Sequence, residues 1–177
     1  GIIDADIWIR PGAPNIFDDL DPEVDFGGVV EADLPLLPWY QQKILNYSRM
    51  QYSSLRIDWV HNPRTGFPFM NMGMMMMNKN FAKYLNGQTP KEFISRQEFK
   101  MFVDGMGPWK WSTDQTLLNY WIRNERMNIQ KLDWKWNALY TAIDNEKIKE
   151  AYLVHFFLKD KLPNKGENVE ELLRMVK

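Results

Sequence analysis

Two carboxylates interrupt an apolar run at the start of the chain, Ile2-Ile3-Asp4-Ala5-Asp6-Ile7-Trp8-Ile9. Strand interiors exclude Asp because a buried, unpaired carboxylate is costly. In an extended backbone, residues i and i+2 face the same side, roughly 6–7 Å apart. A shared divalent cation with oxygen ligands, Mn²⁺ or Mg²⁺, makes such a pair tolerable. The structural alternative is a strand end whose carboxylates cap nearby amides.

Three further places carry polar residues of interest. Asn71-Met72-Gly73 lies within the apolar run 67–77. Glycine inside a strand marks close approach of a ligand or another backbone, and a buried Asn needs a hydrogen-bond partner. Asp114-Gln115 opens a helical pattern, where the helix dipole favours an acid in any case. His155, one of two histidines, follows Ala151-Tyr152-Leu153-Val154 and precedes Phe156-Phe157, with Lys161 six residues on. A histidine in such a setting is either a satisfied core residue or a ligand.

The positioning elements are read from periodicity and breakers. Strands are expected at residues 2–9, 27–33, 55–60, 67–77, 127–132 and 148–157. Helices are expected at 15–20, 39–51, 78–85, 90–103, from about 113 to 124, and 168–176. Ser112 and Thr113 are the N-cap choices for the helix through Asn124, whose stripe is Leu117, Leu118, Trp121 and Ile122. Alternating strands and helices with mixed loop lengths give an α/β chain built on a mixed sheet, read as one domain over residues 1–177.

Composition bounds the rest. With 177 residues, 45% of them hydrophobic, the chain can bury a core. A net charge of −1 without a basic block disfavours nucleic acid as a partner. The absence of Cys excludes disulfides and zinc–thiolate sites but leaves the compartment open: cytoplasmic, or the Golgi lumen in a eukaryote. No run approaches the ~18 apolar residues of a membrane span. Eight Trp are mostly core material, with Trp109, Trp111, Trp134 and Trp136 the choices for a flat surface that binds an acceptor.

Taken in order, Asp-x-Asp on a strand, Asn-x-Gly in an apolar run ending at Asn78, Asp114-Gln115-x-x-Leu118-Asn119 and His155-x5-Lys161 resemble one family. It is the metal-dependent nucleotide-sugar glycosyltransferases of the GT-A fold. The likeness is to the retaining branch that includes glycogenin and the bacterial lipopolysaccharide galactosyltransferases, and it runs from residue 2 to residue 163.

The resemblance implies that Asp4, Asp6 and His155 hold Mn²⁺ or Mg²⁺. Lys161 would pair with a donor phosphate, and Asn71, Gly73, Asp114 and Gln115 would line the donor sugar, with Gln115 nearest the anomeric carbon. The donor would be a nucleoside-diphosphate sugar and the acceptor a glycan, protein or lipid hydroxyl, with no oligomeric state implied. Trp136-Asn137 resembles the family's aromatic-Asn pair near the cleft. Relatives carry a nucleotide-binding half ahead of the Asp-x-Asp strand, so the chain is expected to be GT-A-like but to lack most of that half. It departs from the pattern at Thr116, where some relatives have a second Asp, and between His155 and Lys161, where their glycine is missing. The competing readings are a metal-dependent hydrolase or phosphotransferase built on the Asp pair, and a non-catalytic carbohydrate-binding domain.

Overall fold

The computed structural model describes residues 1–111 and 114–177, apart from the side chain of Trp111. The proposed caps Ser112 and Thr113 therefore lie outside the described residues. Strands and helices run in the order β1 (Ile2–Ile3), β2 (Ile7–Ile9), α1 (Ile16–Asp19), β3 (Phe26–Val30), α2 (Pro38–Tyr52), β4 (Met70–Met77), α3 (Pro90–Ile94), α4 (Lys100–Val103), α5 (Asp114–Asn124), β5 (Ile129–Lys131), β6 (Ala138–Leu139), α6 (Asn145–Ile148), β7 (Leu153–His155) and α7 (Val169–Val176). They form two mixed sheets, β1-β4-β3-β5 and β2-β7-β6, with helices packed around them. This is the α/β class with mixed sheets that the sequence pattern predicts.

β4 is the spine of the first sheet. Met70, Met72, Met74 and Met76 are all buried along it. The first two pack with Phe26, Phe99 and Trp121, the last two with Val29, Trp136 and Val154, so one strand feeds both halves of the core. The switch coincides with a bulge. Gly27 pairs with Met76 but Val29 pairs with Asn71, so extra β4 residues accumulate opposite Gly28. Bulges re-aim side chains and interrupt pairing; Asn71 borders this one and Gly73 lies within it.

Helix α2 starts at Pro38, whose missing N–H costs nothing at the first helical position. Tyr40, Ile44, Ser48, Gln51 and Tyr52 fall on one buried face. Helix α5 buries Thr116, Leu117, Asn119, Trp121 and Ile122. Among the described residues, no helix is long and apolar enough to cross a membrane.

Several predicted elements are corrected. Residues 2–9 are two strands in different sheets, joined by a turn at Asp4-Ala5-Asp6-Ile7 in which the Ile7 N–H donates to the Asp4 carbonyl (3.2 Å). Residues 55–60 form no strand; Leu55 and Trp59 instead pack side-on against the core. The helix predicted at 90–103 breaks at Arg96, whose backbone is extended (φ −56°, ψ 140°). There its guanidinium reaches the Tyr84 carbonyl, Gln88 and Glu125, and lies over Phe93 and Phe99. That set of contacts outweighs helix continuity. The strand predicted at 148–157 begins only at Leu153, because Asp144 caps α6.

The C-terminal helix is pinned from the opposite end of the chain. Arg10 donates to the carbonyls of Ala151 (2.6 Å), Val176 (2.9 Å) and Ile148 (3.0 Å), tying the ends of α6 and α7 to the strand after the Asp-x-Asp turn. Hydrogen bonds from a charged donor contribute about 1.5–3 kcal/mol. Arg10→Ala should lower the unfolding free energy by about that amount in urea titrations. Amide exchange should rise first in α7; unchanged exchange there would show that the clamp is idle.

Candidate functional site

The site forms where β4 changes its edge partner. β1 covers only Met74 and Met75. Next along the edge, the Asp4 N–H donates to the Gly73 carbonyl (2.8 Å). Beyond that point no strand continues, and α5 supplies side chains instead. The Met72 N–H donates to Gln115 Oε1 (3.2 Å). Asn119 accepts from the Met70 N–H and donates to the Met70 carbonyl, both at 2.8 Å. Gln115 and Asn119 are four apart, on one helical face, and so they substitute for a strand.

The same turn that ends β1 starts β2 in the other sheet. There Ile7 pairs with His155, and the Phe156 N–H donates to the Asp6 carbonyl (2.9 Å). His155 Nε2 consequently lies 3.2 Å from Asp6 Oδ1 and 4.0 Å from Asp4 Oδ2. One ligand atom from each of Asp4, Asp6 and His155 falls within 4.8 Å of the others. Two anionic oxygens and a ring nitrogen suit a small divalent cation. The imidazole fits because residue 73 has no side chain: a Cβ there would stand 2.4 Å from His155 Cε1 and 2.7 Å from its Nδ1. Asp4 and Asp6 are exposed while His155 is buried, so the cluster opens to solvent on its carboxylate side.

A cavity of about 370 Å³ adjoins this cluster, within the roughly 300–1,000 Å³ typical of ligand sites. Asp4, His155, Asn71, Gly73, Asp114 and Gln115 border it, together with Glu31, Tyr40, Lys43 and Tyr47. Met72, Ile44, Phe157 and Leu158 add an apolar wall. Asp6 faces the far side of the turn. Lys161 does not border the cavity; its ammonium sits over the Trp39 ring, 6.0 Å from the centroid.

Of the expected tryptophan surfaces, Trp109, Trp134 and Trp136 do not border the cavity either. Trp136 is buried and donates to Asp19 (2.9 Å), Trp109 donates to the Gln51 carbonyl (3.0 Å), and Trp134 packs on the core. The bordering aromatics are Tyr40, Tyr47 and Phe157. The side chain of Trp111 lies outside the described residues. Thr116, the departure from the family pattern, points away from the cavity, bonding to Tyr47 and Gln51 at 3.1 Å each.

Glu31 is the residue that sequence reasoning missed most clearly. It is a buried acid directly after Val29-Val30, the same signal that marked Asp4. It accepts from the Tyr40 hydroxyl (2.7 Å) and Asn71 Nδ2 (3.0 Å). Burial raises its carboxyl above the usual glutamate value even though Tyr40, Asn71 and Gln115 donate to it. Burial, opposed by His155 and reinforced by Asp6 and Asp114, also raises the Asp4 carboxyl. Burial lowers the His155 pKa against the pull of Asp6 and Asp4.

No protein-family model matches this sequence, and no curated protein matches it. Among solved structures, the apo crystal structure of mouse xyloside xylosyltransferase 1 matches at 17% identity and a TM-score of 0.44. The match covers 91% of this chain and 58% of that one, so the chain spans little more than half of that protein's length.

Two outcomes follow from this geometry. Gly73→Ala forces the imidazole aside, so any divalent-cation affinity of the cluster, read with Mn²⁺ as the probe from the free-ion EPR signal, should fall roughly tenfold or more. Unchanged affinity would show a slack cradle. Because folding raises the Glu31 pKa, its contribution to stability is fully present below the unfolded value of 4.5 and is lost as pH rises through the folded value. Glu31→Gln should therefore flatten the fall in stability above pH 4.5; an unaltered pH profile in urea titrations would contradict it.

Proposed function

We propose that this chain carries the cation- and donor-sugar-binding part of a glycosyltransferase of the GT-A type. The reaction would move a hexose from a nucleoside-diphosphate sugar, a UDP-sugar first among them, to a hydroxyl of a glycan, protein or lipid, with retention at the anomeric carbon. One observation carries this reading. Four stretches far apart in sequence supply Asp4 and Asp6, Asn71 and Gly73, Asp114 and Gln115, and His155, and all four converge on one cavity and its adjoining acid cluster. They carry the family resemblance together with Asn78, Leu118, Asn119 and Lys161, of which Lys161 does not border the cavity. A phosphotransferase built on the Asp pair alone would not call on the Asn-x-Gly and Asp-Gln stretches.

Asp4, Asp6 and His155 would hold Mn²⁺ or Mg²⁺. When bound, such a cation neutralises negative charge that builds on a departing diphosphate. The chain's own groups do the rest. Asn71, Asp114 and Gln115 present polar atoms to sugar hydroxyls, while Met72, Phe157 and Leu158 present apolar surface to ring C–H groups. Lys161, which lies over Trp39, would have to swing toward the cavity edge to meet a donor phosphate as a point charge.

Gln115 is tethered at both ends of its amide, the oxygen to the Met72 N–H and the nitrogen toward Glu31. An amide is a poor nucleophile, and a tethered one is poorer still. A front-face displacement fits it better than a covalent intermediate, with the leaving phosphate helping to take the acceptor proton.

The test is release of nucleoside diphosphate in the presence of Mn²⁺, screened across nucleoside-diphosphate sugars. Slow release with at least one donor is expected, and Asp4→Ala or Asp6→Ala should reduce it roughly a hundredfold or more. Silence across the whole panel would overturn the glycosyltransferase reading. Release that ignores both substitutions would overturn the metal assignment.

A further inference from the structure

We propose that Asn137 is a positioning residue that holds the neutral His155 ring as its Nδ1–H tautomer, leaving the Nε2 lone pair facing Asp4 and Asp6. The inference deepens the cation-binding reading and rests on it. It follows from the direction of a buried hydrogen-bond chain whose two ends allow only one polarity.

At one end, the Gly73 backbone N–H lies 3.0 Å from Asn71 Oδ1. A backbone N–H only donates, so the oxygen of the Asn71 amide is the atom that must face it. Asn71 Nδ2 is thereby turned to Glu31 Oε2 at 3.0 Å, and that carboxylate accepts it. Asn71 Oδ1 also receives Asn137 Nδ2 at 2.9 Å. With its nitrogen committed there, Asn137 has only its oxygen left for the imidazole, and Oδ1 lies 3.2 Å from His155 Nδ1. An amide oxygen only accepts, so Nδ1 must carry a hydrogen.

Asp6 pulls the other way. Its Oδ1 is 3.2 Å from Nε2 and would welcome a proton on that nitrogen. The two ends of the ring are not equivalent, however. Asn137 is fully buried, with Glu31, Asn71 and His155 at 3%, 7% and 6% relative exposure, so two lone pairs facing each other at Nδ1 would stand with little solvent to relieve them. Asp4 and Asp6, with side-chain exposures of 56% and 46%, can turn to water when Nε2 is unprotonated. The buried end therefore decides the tautomer. A neutral imidazole with its other N–H held by a carbonyl-type oxygen is the form in which histidine binds cations, and losing such an outer partner typically weakens binding roughly 10- to 100-fold.

The direct test needs no substitution. In the metal-free chain, ¹⁵N-labelled at histidine and held above about pH 8 so that the rings are neutral, long-range ¹H–¹⁵N correlations report the tautomer. His155 should show a protonated Nδ1 and an unprotonated Nε2, with His61, the other histidine, as the internal reference. The opposite tautomer overturns the proposal. Asn137→Leu should let the Nε2–H form appear, held by Asp6, and weaken Mn²⁺ binding roughly 10- to 100-fold by EPR. Asn137→Asp keeps an acceptor at Nδ1 and should keep the parent tautomer. An Asn137→Leu variant with the parent's tautomer and Mn²⁺ affinity overturns the assignment, and if that variant does not fold the parent spectrum decides alone. A parent chain that binds no Mn²⁺ would remove the cation reading, while the tautomer measurement would still stand or fall by itself.

Discussion

Every buried N–H and C=O along the β4 edge that faces β1 must find a partner, and among the described residues no strand reaches 70–73 on that side. That constraint organises the molecule. β1 ends after two pairs, Asp4 supplies one more backbone bond, Asn71 takes the Gly73 N–H, and α5 meets both polar groups of Met70 and the Met72 N–H with the amides of Asn119 and Gln115. Once α5 is docked this way, Asp114 and Gln115 border the cavity as a consequence of satisfying the sheet. The cost of leaving Met70 and Met72 unpaired would be about 1–3 kcal/mol per group, enough to fix the helix in place without any demand from ligand binding.

The turn at Asp4–Ile7 meets the companion demand. The chain must leave the first sheet and enter the second, and a tight turn accomplishes this with each end pinned, at Gly73 and at Phe156. Two carboxylates that a continuous strand would have placed along one face are instead gathered around the His155 ring. The bulge in β4 and the bare Cα of Gly73 then make room for that ring. The acid cluster is thus a junction between two sheets, and its geometry depends on both.

Residue types at the site were legible in the sequence because each broke a local rule: acids in an apolar run, glycine and Asn in a Met-rich strand, histidine among Val and Phe. The turn was not legible, since Ile2-Ile3 and Ile7-Trp8-Ile9 read as one strand and nothing local says that they belong to different sheets. Glu31 broke the same rule as Asp4 inside the strand expected at 27–33, and sequence reasoning missed it there; in the structure that strand ends at Val30 and Glu31 follows it, buried. Tyr40, Lys43 and Tyr47 recur at helical spacing on α2, and spacing alone does not separate a cavity-facing stripe from a core-facing one. The tryptophans misled because aromatic bulk is legible but burial is not; Trp136 is 1% exposed. Leu158 adopts the left-handed conformation (φ 57°) that glycine favours, at about 1–2 kcal/mol, and its side chain borders the cavity.

The charge balance of the cavity favours the proposed chemistry over a simple anion site. Asp4 and Asp114 border it against Lys43, with the Glu31 carboxyl raised by burial and Lys161 held off over Trp39. A bare diphosphate would meet net negative potential there, whereas a neutral sugar would find acceptor oxygens on one side and Met72, Phe157 and Leu158 on the other. On the proposed reading, phosphate recognition therefore belongs to the edge of the cavity, where Asp4, Asp6 and His155 are open to solvent, and the interior is left to the sugar. That division follows from burial. The interior carboxylate Glu31 is spent on internal donors, Tyr40 and Asn71, while the exposed carboxylates keep their oxygens available for an incoming cation.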